Sequence, residues 1–277
     1  GMQTFVSLVN ENDETLLDIH LKNKMKVAYI EFPSINNSAE AAALWAEVPE
    51  NNYVAVVGDF SSGQSKTFYN FLKEQDKLFP MISVSATAGF LAPSLDYPYF
   101  IRMAQSDSLQ GSAMGFIMGY FDWHYECVLY SDTAYAQGLF DFFQDSAKRN
   151  AITIANPDPF RKIDPNFLAD DEKATVIEAI SKMREKNCRV FTYFGLYSFI
   201  ESVLSIQHDL GIYGEGFVQV ATEWLGGWDH DPEDETERHK KVKQVLEGSI
   251  GIFPPDTVEE YGTRVKKYVT DTHGQVD

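Results

Sequence analysis

Pro80-Met81-Ile82-Ser83-Val84-Ser85-Ala86-Thr87 is the stretch that decides the fold, because a short apolar run leads directly into small hydroxyl residues. The arrangement recurs where Tyr53-Val54-Ala55-Val56-Val57 leads into Gly58-Asp59-Phe60-Ser61-Ser62-Gly63. Ligands of open parallel α/β sheets bind at the carboxyl ends of the strands. Hydroxyls and free backbone N–H groups can hold a carboxylate there without a cationic side chain. The two stretches predict a site for a small anionic or zwitterionic molecule, although both are also ordinary loop and helix-capping sequences.

The composition limits the class of protein and of partner. A chain of 277 residues can form two lobes with cores of their own, and 44% hydrophobic and 14% aromatic content excludes disorder. The net charge of −18 argues against a nucleic-acid partner, which would need a clustered basic surface. No apolar run in the sequence approaches the ~20 residues that cross a bilayer. The negative net charge fits a well-solvated protein.

Strand-like runs alternate with longer helical stretches, as in parallel βα units. This pattern predicts the α/β class, with two doubly wound parallel-sheet lobes hinged around a ligand cleft. We assign residues 1–104 and 250–277 to the first lobe and residues 105–249 to the second. The predicted strands are 25–30, 53–57, 81–84, 99–102, 127–132, 152–154, 189–193, 217–220 and 249–253, and the predicted helices include 39–48, 65–78, 108–120, 134–150, 170–186, 197–210 and 258–270.

Cys127 and Cys188 each stand at the start of a predicted strand of the second lobe, Cys127 as the first residue of its strand and Cys188 directly before the other. Doubly wound order places those two strands side by side, so the two Cα atoms could fall within disulfide range. Bridges between neighbouring parallel strands are commonly strained, however, and small buried cysteines are ordinary core residues. The sequence therefore favours two free thiols.

Several segments, in this order and spacing, resemble the type I periplasmic-binding-protein fold. The similarity is to the ligand-binding regions of metabotropic glutamate, GABA and natriuretic-peptide receptors and to branched-chain amino-acid binding proteins. It covers nearly the whole chain. The segments that carry it are Ala55–Gly58 with Ser61-Ser62, Pro80–Thr87, Tyr97–Arg102, Gln105–Gly111, Val128–Asp132 with Tyr135 and Gly138, and Leu246–Ile252.

The resemblance implies roles for particular residues. In amino-acid-sensing members, positions matching Ser62, Ser85, Ala86 and Thr87 grip the α-carboxylate of the ligand. The ammonium is held at positions matching Thr87, Asp107, Tyr135 and Glu223, and Trp224 is a candidate wall of the site. This chemistry is coherent, since an ammonium needs acceptors or a π face and a carboxylate needs donors. Two alternatives stay open: Asp107 caps the helix that follows, and Tyr135 packs in the cleft wall without touching ligand.

The resulting hypothesis is a non-catalytic binding module that closes around a small amino-acid-like ligand. It would be the extracellular part of a receptor or a periplasmic solute-binding protein. An α/β enzyme using the same cleft is the alternative, but no histidine is near the serines and threonine singled out. An effector domain of a transcription regulator is disfavoured because no basic helix-turn-helix precedes it. We expect no cofactor and no metal, because the spacing of His230, Asp231 and His239 matches no standard site.

The resemblance also predicts an incomplete version of the fold. Family members open with a central strand of the first lobe, whereas Met2–Asn10 looks like the tail of the helix that follows that strand. A missing central strand would leave backbone N–H and C=O groups unpaired. Rearranged strand order, another chain or local disorder would close this gap, and of these we expect self-association through the first lobe as a homodimer. The resemblance to receptors further implies a membrane-anchored remainder outside this chain.

Overall fold

The computed structural model describes residue 33 and residues 35–48, 53–58, 61–92, 95–155, 170–222, 225 and 236–252. The chain divides into two compact units, one of residues 1–33 with 255–277 and the other of residues 34–254. All described residues except Pro33 belong to the second unit. The strand predicted at 25–30, the helix predicted at 258–270 and the segment Met2–Asn10 lie outside the described residues.

Helices and strands alternate along the second unit as predicted. Eight strands carry the two sheets of the described part: β1 Val56–Val57, β2 Met81–Ser83, β3 Phe100–Arg102, β4 Tyr125–Tyr130, β5 Thr153–Ile154, β6 Val190–Phe194, β7 Val218–Ala221 and β8 Ile250–Gly251. The helices are α1 Ser38–Glu47, α2 Ser62–Glu74, α3 Asp107–Tyr120, α4 Ala134–Arg149, α5 Asp170–Glu185, α6 Tyr197–Asp209 and α7 Glu237–Leu246, with a short 3-10 helix at Gly89–Leu91.

The strands form two separate parallel sheets. The first has the order β1-β2-β3, and the second has the order β5-β4-β6-β7-β8. The α/β class with parallel sheets is therefore confirmed. Ile250 and Gly251 pair with Val220 and Ala221 of β7, so they belong to the five-stranded sheet, although the sequence assigned them to the first lobe. The division into lobes otherwise remains a prediction.

Helices cover both faces of the five-stranded sheet. Alternate residues of its strands point to opposite faces, so each strand contributes to two cores. Cys127, Leu129, Phe191 and Tyr193 share one core with residues of α5, α6 and α7. Val128, Tyr130, Val190 and Phe194 share the other core with residues of α3 and α4, including Met114, Met118, Leu139, Phe140 and Phe143. The strands consequently read as near-continuous hydrophobic runs, which is typical of a parallel sheet buried on both sides.

Cys127 and Cys188 form a disulfide, with their Cα atoms 5.9 Å apart, so the prediction of free thiols was wrong. The expected adjacency of the two strands is confirmed, since β4 pairs with β6. Cys188 precedes β6, however, and its backbone N–H donates to the carbonyl of Met183 at the end of α5. The bridge therefore joins a strand to the turn leading into its neighbour, rather than two facing ladder positions.

Glu126 is a carboxyl group buried in the second sheet. Its side chain is fully buried on β4, where Thr192 Oγ1 donates a 3.2 Å hydrogen bond to Oε2. Oε1 makes no hydrogen bond within the described part of the chain. Burial raises the pKa of Glu126 well above its ordinary value, and the hydrogen bond from Thr192 only partly opposes this. The native protein therefore keeps this carboxyl protonated over a pH range in which the unfolded chain ionises it.

Replacing Glu126 by Gln should remove a pH dependence of stability. Because the native pKa is raised, the wild type is fully stable below the unfolded pKa and loses stability as the pH rises towards the native pKa. The variant should gain stability relative to wild type by up to about 1.4 kcal/mol for each pH unit above ~4.5 until that native pKa is passed. Urea unfolding from pH 4 to 8 measures this, with the exposed Glu215→Gln as control. Parallel curves for Glu126→Gln and wild type would contradict it.

Candidate functional site

The turn Ser85–Ala88, which follows β2, is held in place by its own neighbours. The backbone N–H of Ala86 donates to Ser83 Oγ at 3.0 Å. Arg102 Nη1 donates to the carbonyl oxygens of Thr87 and Ala88, and it lies 3.2 Å from the Ala88 oxygen. The sequence did not single out Arg102. Its side chain joins the end of β3 to the turn that follows β2, so the turn is preorganised before any ligand arrives.

Ser62 positions this turn from a second element. It is the first residue of α2, is only 2% exposed, and its Oγ accepts a 3.1 Å hydrogen bond from the backbone N–H of Ala88. The preceding Ser61 caps the helix, because its Oγ accepts from the backbone N–H of Gln64 at 3.1 Å. The helix-capping alternative therefore holds for Ser61, while Ser62 ties α2 to the turn.

Asp107 holds the turn from a third element. It is the first residue of α3 and is 2% exposed, and its backbone N–H donates to the Thr87 carbonyl at 3.0 Å. Ser106 is the cap of α3, so the alternative that Asp107 caps this helix is wrong. Burial lowers the pKa of Arg102, and the negative charge of Asp107 partly opposes this.

The first turns of α2 and α4 approach this cluster together. A Cβ built on Gly63 of α2 would lie 3.9 Å from the Cβ of Ala134 in α4. A Cβ on Gly138 would lie 3.5 Å from the Cβ of Ala88 and 3.6 Å from Asp107 Oδ2. Two helix N-termini, the serine turn and a buried carboxylate therefore meet in one place. In the sequence analysis Gly138 was only one of the residues that carry the family resemblance, with no predicted role in the site.

Of the predicted ligand-binding residues, Ser85, Thr87 and Tyr135 are partly exposed. Ala86 is completely buried, and Tyr135 packs against the core that α4 shares with the five-stranded sheet. Glu223 and Trp224 lie outside the described residues. The structure thus brings Ser62, the Ser85–Ala88 turn and Asp107 into one hydrogen-bonded cluster, with Tyr135 adjoining Ala134 at the start of α4.

The electrostatics of the two helix ends favour an anion. The first turns of α2 and α4 contain no acidic residue, and their caps are the neutral Ser61 and Thr133. Backbone N–H groups at a helix N-terminus carry partial positive charge and attract a carboxylate. The first turns of α2 and α4 can therefore offer backbone donors to an anion, and its binding at this site stays a prediction.

His239 takes part in a helix cap. Thr236 Oγ1 accepts from the backbone N–H of His239 at 3.3 Å, and His239 Nδ1 accepts from the backbone N–H of Thr236 at 3.2 Å. Its Nε2 lies 3.5 Å from Glu201 Oε1. His230 and Asp231 lie outside the described residues, and the part that is described contains no group of three metal-ligating side chains. No described helix is both long enough and apolar enough to cross a membrane.

Residues 6–266 match the family described as the receptor family ligand binding region. Glutamate receptor 2.9 of Arabidopsis thaliana is 26% identical over 208 residues, which cover 75% of this chain and 20% of that receptor. Taste receptor type 1 member 2 of Macaca mulatta is 28% identical over 222 residues, covering 74% of this chain and 26% of the receptor. Glutamate receptor 3.1 of Oryza sativa subsp. japonica is 26% identical over 178 residues, which cover 64% of this chain and 18% of that receptor. The chain thus spans only a minor part of the length of each of these receptors.

Proposed function

The chain belongs to the receptor family ligand binding region, and we propose that it binds a free α-amino acid or a close analogue at the Ser85–Ala88 turn. The main support for the proposal is the preorganised turn itself. Hydrogen bonds to Ser62, Arg102 and Asp107 hold its backbone, while Ser85 and Thr87 stay partly exposed. The glutamate receptors among the relatives support an amino-acid ligand.

The two ends of an amino acid would be held by different groups. The hydroxyls of Ser85 and Thr87 and the first turn of α2 offer donors to the carboxylate. The Thr87 hydroxyl and the ring of Tyr135 offer an acceptor and a π face to the ammonium. Ser62 and Asp107, each 2% exposed, act in this proposal through the turn that they hold. Glu223 and Trp224 keep their proposed roles at the ammonium and the wall.

Binding would favour closure of the two lobes. Ser85 and Thr87 follow β2 of the three-stranded sheet, whereas Tyr135 follows β4 of the five-stranded sheet. A ligand that contacts both parts stabilises whichever arrangement brings them together, by its difference in affinity for the open and closed forms. This is the proposed basis of signalling or capture.

Thermal-shift screening with the twenty amino acids, beginning with L-glutamate, followed by calorimetry of any hit, tests the proposal. We expect saturable binding of at least one amino acid, without turnover of that compound. Consumption of the bound compound would favour the α/β-enzyme alternative. Binding of sugars, nucleosides or peptides, with no response to any amino acid, would overturn the proposal.

Replacing Thr87 by Val should weaken binding of the amino acid found in that screen. Valine preserves the shape and removes the hydroxyl, and a hydrogen bond to a charged group is worth roughly 1.5–3 kcal/mol, or roughly 10- to 100-fold in affinity. Thr87→Ser keeps the hydroxyl and is the matched control. The backbone contacts of Thr87 are unchanged in both variants, so folding should be unaffected. Equal calorimetric affinities for wild type and Thr87→Val would remove this hydroxyl from the site.

We also propose an extracellular or periplasmic location. The disulfide between Cys127 and Cys188 supports an oxidising compartment, since disulfides are rare in the cytosol. A homodimer through the first lobe and a membrane-anchored remainder belong to the same proposal. The exposed hydrophobic side chains of Tyr99, Ile101 and Met103, at alternate positions along β3 and its ends, support the dimer. Sedimentation of wild type and Ile101→Glu tests it, because a monomeric wild type would contradict the dimer.

A further inference from the structure

Asn36-Asn37-Ser38 has the sequence of an acceptor for N-linked glycosylation. It is the one place in the 277 residues where an asparagine is followed two positions later by serine or threonine, with no proline between. Such a motif requires a surface position in a secreted chain before it can carry a glycan. Asn36 has no role in the proposed ligand site, so its surroundings are an independent observation.

The structure places Asn36 on the surface, directly ahead of α1. Residues 36–40 are all exposed, whereas the preceding Ile35 is 4% exposed and fixes the start of the segment in the core. Asn37 caps α1, its Oδ1 accepting from the backbone N–H of Glu40 at 3.0 Å. The acceptor asparagine therefore stands on a short, ordered segment that begins in the core and ends in a capped helix.

The hydrogen bonds of Asn36 are compatible with an attached sugar. Its Oδ1 accepts from Gln64 Nε2 at 3.0 Å, and its Nδ2 donates to Glu40 Oε2 at 3.2 Å. An N-linked glycan replaces one of the two hydrogens on Nδ2 and leaves the carbonyl oxygen untouched. The modified side chain therefore keeps one N–H for Glu40 and an acceptor for Gln64.

The disulfide that supports the proposed extracellular location also bears on glycosylation. The sulfur atoms of Cys127 and Cys188 are joined within a core of the five-stranded sheet, and both residues are almost completely buried. A buried structural disulfide forms during folding in an oxidising compartment. In eukaryotic cells the secretory pathway supplies both this environment and the transfer of N-linked glycans.

We propose that Asn36 carries an N-linked glycan. The inference rests on the proposed extracellular location, and it is independent of the ligand. Through Gln64, Asn36 connects to the first turn of α2, where Ser61 accepts from the Gln64 backbone N–H. The glycan therefore stands beside the helix N-terminus assigned to the ligand carboxylate, and it keeps the start of α1 facing solvent.

The experiment joins a secretory signal peptide to the full chain, translates it with microsomes, and also secretes it from animal cells. Glycosylation of the nascent chain in microsomes does not require a stable fold. Peptide-N-glycosidase treatment and intact mass give the number of glycans. Asn36→Gln and Ser38→Ala remove the motif. Asn37→Ser and Ser38→Thr keep the motif, and both leave a good capping residue at position 37.

We expect one glycan on wild type, Asn37→Ser and Ser38→Thr, and none on Asn36→Gln and Ser38→Ala. A translocated wild type without a glycan, or an Asn36→Gln variant that keeps one, overturns the proposal. The redox state of the cysteines is read from the same masses and tests separately whether the Cys127–Cys188 bridge forms. A glycosylated chain that binds no amino acid would refute the ligand and leave this inference standing.

Discussion

Gly111→Ala should be the most destabilising of three alanine substitutions along α3. Gly111, Gly115 and Gly119 lie four residues apart and face α4. A Cβ on Gly111 would lie 2.8 Å from the backbone nitrogen of Phe143 and 3.0 Å from the carbonyl oxygen of Leu139. Backbone atoms inside a helix cannot move aside alone, so the two helices must separate. We expect a loss of about 3 kcal/mol, at the upper end of overpacking costs.

Gly115→Ala should be less destabilising than Gly111→Ala, and Gly119→Ala the least destabilising of the three, because the neighbours of Gly115 and Gly119 are mainly side-chain atoms. A Cβ on Gly115 would clash with Ser146 Oγ and lie 2.7 Å from the Cβ of Ser146, for a cost of roughly 1–2 kcal/mol. A Cβ on Gly119 would meet the Asn150 side chain at 3.1 Å, a contact that a small shift relieves. The higher helix propensity of alanine, about 1 kcal/mol, should then offset the cost.

Urea unfolding of the three variants measures this order. Gly63→Ala in α2 is the control, because its Cβ would meet only Ala134 at 3.9 Å and the variant should be as stable as wild type or more so. Adding Ser146→Ala should recover part of the loss in Gly115→Ala and none of the loss in Gly111→Ala. Wild-type stability for Gly111→Ala would show that α3 and α4 do not pack this closely.

Removing the disulfide should have a still larger effect. Cys127 and Cys188 are separated by 61 residues, and opening a loop of that length costs about 4 kcal/mol in the chain-entropy description. The Cys127→Ala/Cys188→Ala variant should therefore unfold at a much lower urea concentration than wild type under oxidising conditions. Each single alanine variant should lose a similar amount, because either one opens the loop.

Reductant supplies the control for this prediction. Both cysteines are almost completely buried, so the folded protein should resist reduction, and reductant should shift only the unfolding midpoint of wild type. The double variant should be insensitive to it. An intact mass corresponding to two free thiols in the oxidised sample, with no difference in stability between wild type and double variant, would contradict the bridge.

The alternation of strands and helices could be predicted because each element leaves a local pattern. The apolar runs at 81–84 and 127–132 are buried strands, and their boundaries shift by one or two residues in the structure. The disulfide between Cys127 and Cys188 could not be predicted from local patterns of this kind. The adjacency of β4 and β6 was predicted correctly. The hydrogen bond from the Cys188 N–H to the Met183 carbonyl, which holds Cys188 in the turn after α5, leaves no signal in the sequence.

The contacts around the Ser85–Ala88 turn were only partly predictable. Arg102 leaves no local signal, because the carbonyls that it binds lie 14 and 15 residues earlier in the chain. The predicted helix began at residue 65, whereas α2 begins at Ser62. At this position the Ser62 hydroxyl is buried and accepts a hydrogen bond from the Ala88 N–H. A missed signal was the four-residue spacing of the glycines in α3, which indicates a close contact between helices.

Binding of an amino acid at the Ser85–Ala88 turn can be observed residue by residue with backbone amide NMR of the isotope-labelled chain. Titration with L-glutamate, or with the amino acid found in the thermal screen, should shift the resonances of Ser85, Thr87 and the first turn of α2 with one common saturation curve. Thr87→Val should need a higher concentration for the same shifts. Saturating shifts confined to other parts of the chain, or no shifts with any amino acid, would show that this turn is not the binding site.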